Sequence, residues 1–226
     1  PAQWLKFANS LRLRLAMRVS NVAPALAEEQ AKAALDSKNG GVLETANETV
    51  GQYGIRNPLG GVAGWSEVYM NASLESYLKG YNDPRIKSYF NLAQDGRDKE
   101  GNIIKEVAGV KQLNSIEGEY KGVRQGTGVA DNRYSTHSQT AITTGSKIIV
   151  MSAAEVWFLR AEAALRNYTS ENVENCYKQG ITVSFAQWDA SGVSEYLESE
   201  ETPAAYVDAF DKKFDADAPT SITPKW

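Results

Sequence analysis

Residues 151–188 read MSAAEVWFLRAEAALRNYTSENVENCYKQGITVSFAQW, and the fold is decided there. Ser152 is a good N-cap, and Glu155 stands three positions on, as in a capping box that satisfies two orphan N–H groups. Val156, Leu159, Ala163 and Leu165 then carry an apolar helix to about Asn167. A second helix is expected from near Ser170 to near Trp188, so that Ser152 to Leu197 forms a helix–turn–helix unit. Ala161 and Gly180 are small enough to let adjacent helices approach. Trp157 and Tyr177 fill the gaps beside them, and Trp157 and Trp188 are expected in the core. A weaker helix is expected over Pro203 to Phe214.

A second helix pair precedes this one. Trp4, Phe7, Ala8, Leu11 and Leu15 recur at three- and four-residue steps and give a helix over Trp4 to Ser20 one apolar face. Pro24 suits the first turn of the next helix, which runs to about Ser37 and is ended by Gly40 and Gly41. The short connection predicts antiparallel packing. Two such units suggest a repeat. The tetratricopeptide pattern begins W-x2-L-G-x2-Y, and Trp4-x2-Phe7-Ala8-x2-Leu11 follows it closely. Trp157-x2-Arg160-Ala161-x2-Ala164, then Val173-x3-Tyr177, follows it in part, with Arg160 and Ala164 off-pattern. The fold class is therefore mainly α, built of tetratricopeptide-like helix pairs with a long irregular, loop-rich insertion.

From Gly41 to about Ser146 the apolar period fades and Gly and Asn become frequent. One helix is expected at Ser66 to Lys79, and Asp83-Pro84-Arg85 should open another, with Asp83 as N-cap and Pro84 at the first helical position. Asp95 to Thr144 reads mostly as loop with a few short strands, followed by a strand at Ile148 to Met151. An irregular insertion of this length is usually functional or disordered, and its tyrosines favour function.

Three stretches together resemble the SusD-like (SusD/RagB) family: WLKFANSLRLRLAMR at 4–18, LKGYNDPR at 78–85, and SAAEVWFLRAEAAL at 152–165 with Tyr177-x2-Gly180-Ile181-x2-Ser184 and Trp188 after it. Their order and rough spacing match across nearly the whole chain, and Ile222 to Trp226 looks like the start of a further segment. The resemblance implies a cell-surface lipoprotein of gut-type Bacteroidota. Such a protein is a lid on a TonB-dependent, SusC-like outer-membrane transporter and captures nutrients, usually glycans, without catalysis. It also implies a scaffold of four helix pairs whose loop-rich face carries the ligand. On that reading the chain is a partial SusD-like domain over 1–226. Residues 1–40 are a helix pair, 41–150 the ligand-facing region, and 151–226 a helix pair with a following helix. The lipid anchor is expected upstream of Pro1, where the absence of Met suggests a fragment or processed form.

Composition narrows the alternatives. Net charge is −4, which leaves no electrostatic footprint for nucleic acid. The single Cys, Cys176, excludes an internal disulfide and reads as a buried, inert thiol. The single His, His137, excludes two-His zinc motifs and is expected to be solvated in a polar loop. Neither a metal nor a cofactor is expected. Gly126-Thr-Gly128 lacks the setting of a phosphate loop, and no motif isolates a glycosidase carboxylate pair. Arg12, Arg14 and Arg18 are expected to pair with carboxylates of the neighbouring unit, such as Glu155 or Glu162.

The aromatics of the insertion are the candidate ligand surface, because sugar C–H faces stack on aromatic planes while Asn, Asp and Arg take hydroxyls. Trp65, Tyr69, Tyr53 and Tyr134 are the expected stacking residues, with Asn132 and Arg133 as polar partners. Trp65 and Tyr69 lie four positions apart and are expected on one helix face. Two other functions fit the chain. One is a tetratricopeptide-type scaffold for a peptide or protein, motivated by the helix pairs. The other is a helical glycoside hydrolase.

Overall fold

In the computed structural model, which describes residues 2–65, 68–127 and 132–226, helices carry the first of two units and loops carry most of the second. In chain order the helices are α1 (Ala2–Val19), α2 (Pro24–Leu35), α3 (Pro58–Ala63), α4 (Ala72–Gly80), α5 (Ile86–Tyr89), α6 (Ala153–Leu165), α7 (Val173–Gln187) and α8 (Val193–Leu197). The strands are β1 (Val50–Gln52), β2 (Glu106–Val107), β3 (Val110–Lys111) and β4 (Ile148–Met151). The first unit comprises Pro1–Tyr53, Lys147–Val193 and Trp226; the second comprises Gly54–Ser146 and Ser194–Lys225. No helix among the described residues is long and apolar enough to cross a membrane.

The first unit holds the two expected helix pairs. Pro24 opens α2, and Ala27, Ala31 and Ala34 make a smooth buried ridge along it, against which α1 packs. Ser152 caps α6, its hydroxyl accepting from the Glu155 N–H at 3.1 Å. The Glu155 carboxylate instead makes a two-toothed pair with Arg14 of α1, both bonds 2.6 Å. The pairing expected of the α1 arginines is thus made by Arg14. Asn172 caps α7, two residues later than the sequence suggested. Gly180 lies where α7 meets α6: a Cβ there would come within 2.8 Å of the Phe158 ring. Cys176 is buried in α7, and burial pushes its thiol above the ordinary range. Strand β1 pairs antiparallel with β4, joining the two ends of the chain's long excursion.

Three expectations about this unit are corrected. The face of α1 that packs is Asn9, Ser10, Leu13, Ala16 and Met17. Of the apolar face read from the sequence, Phe7 leans on the core, Leu11 is half-buried, and Ala8, Leu15 and Trp4 stand exposed, Trp4 at 74%. Periodicity identified a stripe but not the side of the helix this unit uses. Asn9 and Ser10 could turn inward because each has backbone partners: Asn9 donates to the carbonyls of Asn39 and Gly41, and Ser10 accepts from the Leu43 N–H. Trp157 and Trp188 are half-buried rather than central. The Trp157 indole donates to the Glu44 carbonyl at 2.8 Å, with the Arg160 guanidinium 3.7 Å over its ring.

The second unit is loops held by side-chain caps. Asn57 accepts from the Leu59 N–H and Pro58 follows it, so α3, a helix not expected from the sequence, has a complete start signal. The helix expected over Ser66 to Lys79 is shorter: Asn71 caps it and it spans Ala72–Gly80, while residues 66 and 67 lie outside the described set. Asp83 does not cap α5. Its carboxylate binds the Arg85 N–H and guanidinium, and the helix begins at Ile86. Strands β2 and β3 form a hairpin whose two-residue turn, Ala108-Gly109, has both φ values positive, as such turns require. Residues 203–214 form no α-helix; a single 3-10 turn at Lys212–Phe214 is all the helix there. Tyr206 bridges to Ala216, and Asp208 accepts from the N–H groups of Phe210 and Asp211, which holds the chain in a turn.

Candidate functional site

Three extended segments form the floor of the loop-rich unit. The chain at 136–141 runs between 69–71 and 89–94. Met70 donates to the Ser138 carbonyl at 2.7 Å, Asn91 to that of Gln139 at 2.9 Å, and Gln94 to that of Thr136 at 3.0 Å. A cavity of about 390 Å³ opens between residues 91–97 and 135–139. Its wall is almost wholly polar, with Leu92 as the apolar exception. Gln94, Ser135 and Gln139 line it and make no side-chain hydrogen bond among the described residues.

Two ionised side chains on that wall are already engaged. Asp95 is buried and receives Gln112, the Ser115 hydroxyl and the Ile116 N–H at 2.6–2.8 Å. Burial works against its charge, yet those hydrogen bonds hold its carboxyl below the usual range. Arg97 donates to Glu117 and to the Gly101 carbonyl.

His137, expected in solvent, stands instead in this wall and is 3% exposed. Its ring stacks on Phe210 and meets the Tyr134 ring edge-on. Both ring nitrogens and the Thr136 hydroxyl are closed off from solvent with no hydrogen-bond partner among the described residues. Groups left this way cost about 1–3 kcal/mol each. Burial, then the nearby Lys121 charge, pulls the imidazole down to about 4 against the opposing pull of Asp208, so it is neutral at pH 7. Behind it lies a buried polar network. Lys121 pairs with Glu75 at 2.7 Å and lies 4.4 Å from the Tyr206 ring centre. Asp208 accepts from the hydroxyls of Tyr206 and Tyr134.

The six residues expected to bind ligand are dispersed. Tyr53 belongs to the first unit, is 72% exposed, and has the Lys147 ammonium 5.3 Å from its ring centre. The other five belong to the second unit. Trp65 is 69% exposed on the turn after α3. Tyr69 is half-buried and bridges Gln139 through the backbone. The two therefore do not share a helix face; the turn after α3 and the extended segment at Tyr69 separate them. Asn132, exposed, and Arg133, half-buried, form a 3-10 turn that leads into the cavity wall at Ser135. Tyr134, in that same turn, is corrected: it is 6% exposed, packed with Ala93, Ile116 and Phe210, and offers no face to a ligand. Its hydroxyl found a buried carboxylate, which removes the usual reason for a tyrosine to stay at the surface.

Sequence reasoning passed over Gln94, Thr136 and Gln139, since lone amides and hydroxyls in loops form no motif. His137 was singled out but placed in water. Among the described residues no group of three or more His, Cys, Asp or Glu side chains stands ready to hold a metal ion.

Comparison with known proteins agrees with this architecture. The family model described as "SusD-like: Susd and RagB outer membrane lipoprotein" matches residues 1–226. A crystal structure of a SusD homologue from Bacteroides vulgatus is 40% identical, with a TM-score of 0.84, over 99% of this chain and 43% of that one. A chitin-binding SusD homologue from Flavobacterium johnsoniae is 34% identical, with a TM-score of 0.85, over 100% of this chain and 44% of that one. A third SusD homologue, from Bacteroides uniformis, is 32% identical with a TM-score of 0.83, over 100% of this chain and 45% of that one. The chain thus spans less than half the length of these solved structures. No match was found among curated proteins. With its helix pairs, its loop-rich second unit and a family match from first residue to last, the chain belongs to the SusD/RagB family of outer-membrane lipoproteins.

Proposed function

We propose that this protein is a non-catalytic, glycan-binding component of a nutrient-uptake system at the outer-membrane surface, working with a TonB-dependent transporter. The observation that carries the reading is Trp65. A large aromatic face stands 69% exposed in a loop-rich unit whose family includes a chitin-binding homologue. Isolated exposed aromatics of this size suit stacking on sugar rings, since one face is apolar and the indole N–H can take a hydroxyl. Asn132 and Arg133 supply polar partners in the same unit, and Tyr53 offers a second exposed ring in the first. Calorimetry with a panel of polysaccharides, chitin fragments included, tests it. Binding that weakens in Trp65→Ala is expected, and absence of affinity for every glycan overturns the reading. No reducing sugar should be released on incubation. Co-purification of a TonB-dependent transporter from outer membranes tests the partnership.

A peptide-binding scaffold is the second reading. It is favoured by a cleft of about 710 Å³ within the first unit, lined by both signs of charge, including Lys6, Lys32, Glu44, Arg160 and Glu171. Capture of peptides without any carbohydrate affinity would select it.

A further inference from the structure

Gln94, Ser135 and Gln139 present uncharged hydrogen-bonding groups to one cavity, and none of the three makes a side-chain hydrogen bond to the protein among the described residues. Thr136 and His137 stand in the same wall, their hydrogen-bonding atoms closed off from solvent and without a partner among the described residues. Leu92, half exposed, supplies an apolar patch beside them. At about 390 Å³ the space lies within the roughly 300–1,000 Å³ of small-molecule pockets.

The charge pattern indicates what fits. A ligand anion would find the Arg97 guanidinium already occupied by Glu117 and a carbonyl, and would face the Asp95 carboxylate. A ligand cation would find Asp95 buried and already accepting from three donors. His137 is neutral and its ring nitrogens are closed off from solvent, so the ring adds no charge to the wall. The exposed Gln94 and Ser135 and the half-buried Gln139 can each donate and accept. Such a wall matches a molecule with several neutral hydroxyls and one apolar C–H face.

We propose that this cavity is a subsite for one uncharged sugar unit of a glycan, with Gln94, Ser135 and Gln139 taking its hydroxyls and Leu92 its C–H face. The proposal rests on the glycan-binding reading and narrows it to neutral sugars at a named place. Of the other expected residues, Tyr69 is tied to Gln139 through a backbone bridge. Trp65 is not part of the subsite.

The test uses ¹⁵N-labelled full protein and the two imidazole nitrogen signals of His137, identified by their loss in His137→Gln. Chitotetraose, maltotetraose and xylotetraose serve as uncharged probes, and trigalacturonic acid as the acidic one. At least one uncharged probe should shift both nitrogen signals. Gln94→Ala and Gln139→Ala, which alter only the cavity wall, should each weaken its Kd roughly five- to ten-fold. If an uncharged probe binds both variants with full affinity and leaves the His137 signals in place, the subsite is refuted while glycan binding stands. Preference for the acidic probe refutes the neutral-sugar assignment. If no glycan of any kind binds the unaltered protein, both readings fall.

Discussion

Lys121 and Glu75 form an ion pair at 2.7 Å with both side chains almost closed to water. The pair ties the loop at 121–122 to α4, since Glu75 also accepts the Gly122 N–H at 2.7 Å. Removing one partner strands the other's charge. Glu75→Leu should therefore lower the unfolding free energy by about 3–5 kcal/mol in chemical denaturation. The double variant Glu75→Leu with Lys121→Met should recover much of the loss. An unchanged denaturation midpoint in the single variant would show that the pair is not closed to solvent.

Gly80 ends α4 against the backbone of residues 202–204, where a Cβ would lie 2.3 Å from the Ala204 nitrogen. Backbone cannot step aside as a side-chain tip can. Gly80→Ala should destabilise by about 1–3 kcal/mol, although alanine is the better helix former. Thermal melting of the two forms checks it, and a raised Tm would contradict the close contact.

His137 makes stability depend on pH. Its folded value, about 4, lies below the ordinary 6.5. Between those values the unfolded chain binds a proton that the folded chain does not, so stability is full above pH 6.5 and falls as pH drops toward 4. At about 1.4 kcal/mol per unit the loss approaches ~3 kcal/mol. Urea titrations at pH 7 and pH 4.5 should show a smaller difference in His137→Phe than in the unaltered protein. An equal difference would mean that the imidazole is not buried neutral.

Trp65 and Tyr134 should separate binding from stability. Trp65→Ala removes an exposed ring and should weaken glycan affinity about ten-fold with little change in Tm. Tyr134→Ala removes a buried ring and a hydroxyl bonded to Asp208, and should cost about 3–5 kcal/mol. The reverse assignment of effects would restore Tyr134 to the ligand surface.

The exposed stripe of α1 should make the chain self-associate. Trp4, Leu15 and, beyond the turn, Val22 all stand exposed. Apolar surface of this kind favours association at high concentration. Light scattering should find larger species, and Trp4→Glu with Leu15→Glu should reduce them; identical scattering from both would exclude the stripe as the cause.

What could be read from the sequence was what local chemistry controls. Ser152, Pro24 and the helices behind them were legible because caps and apolar spacing act within a few residues. The side on which α1 packs was not, because Asn9 and Ser10 are satisfied by partners about thirty residues away. Tyr134 and His137 failed for the same reason. Their burial depends on Asp208 and Phe210, more than seventy residues further on, in a stretch that reads as a helix and is held in a turn by one carboxylate. The exposure of Trp65 follows from the short α3, whose Asn57-Pro58 start was visible but sat among glycines that read as loop. The cavity has no sequence signature at all, since its free amides and hydroxyls are ordinary loop residues.

Cys176 has a use that its inertness conceals. It is the chain's single thiol, closed inside α7, and His137 is the chain's single imidazole, closed inside the other unit. Alkylation can reach the one only when the helix pair opens, and a change in the ring-nitrogen signals marks opening around the other. The molecule thus carries two native reporters, one per unit. Their relative rates in mild denaturant would show whether the two units open in one event or in two.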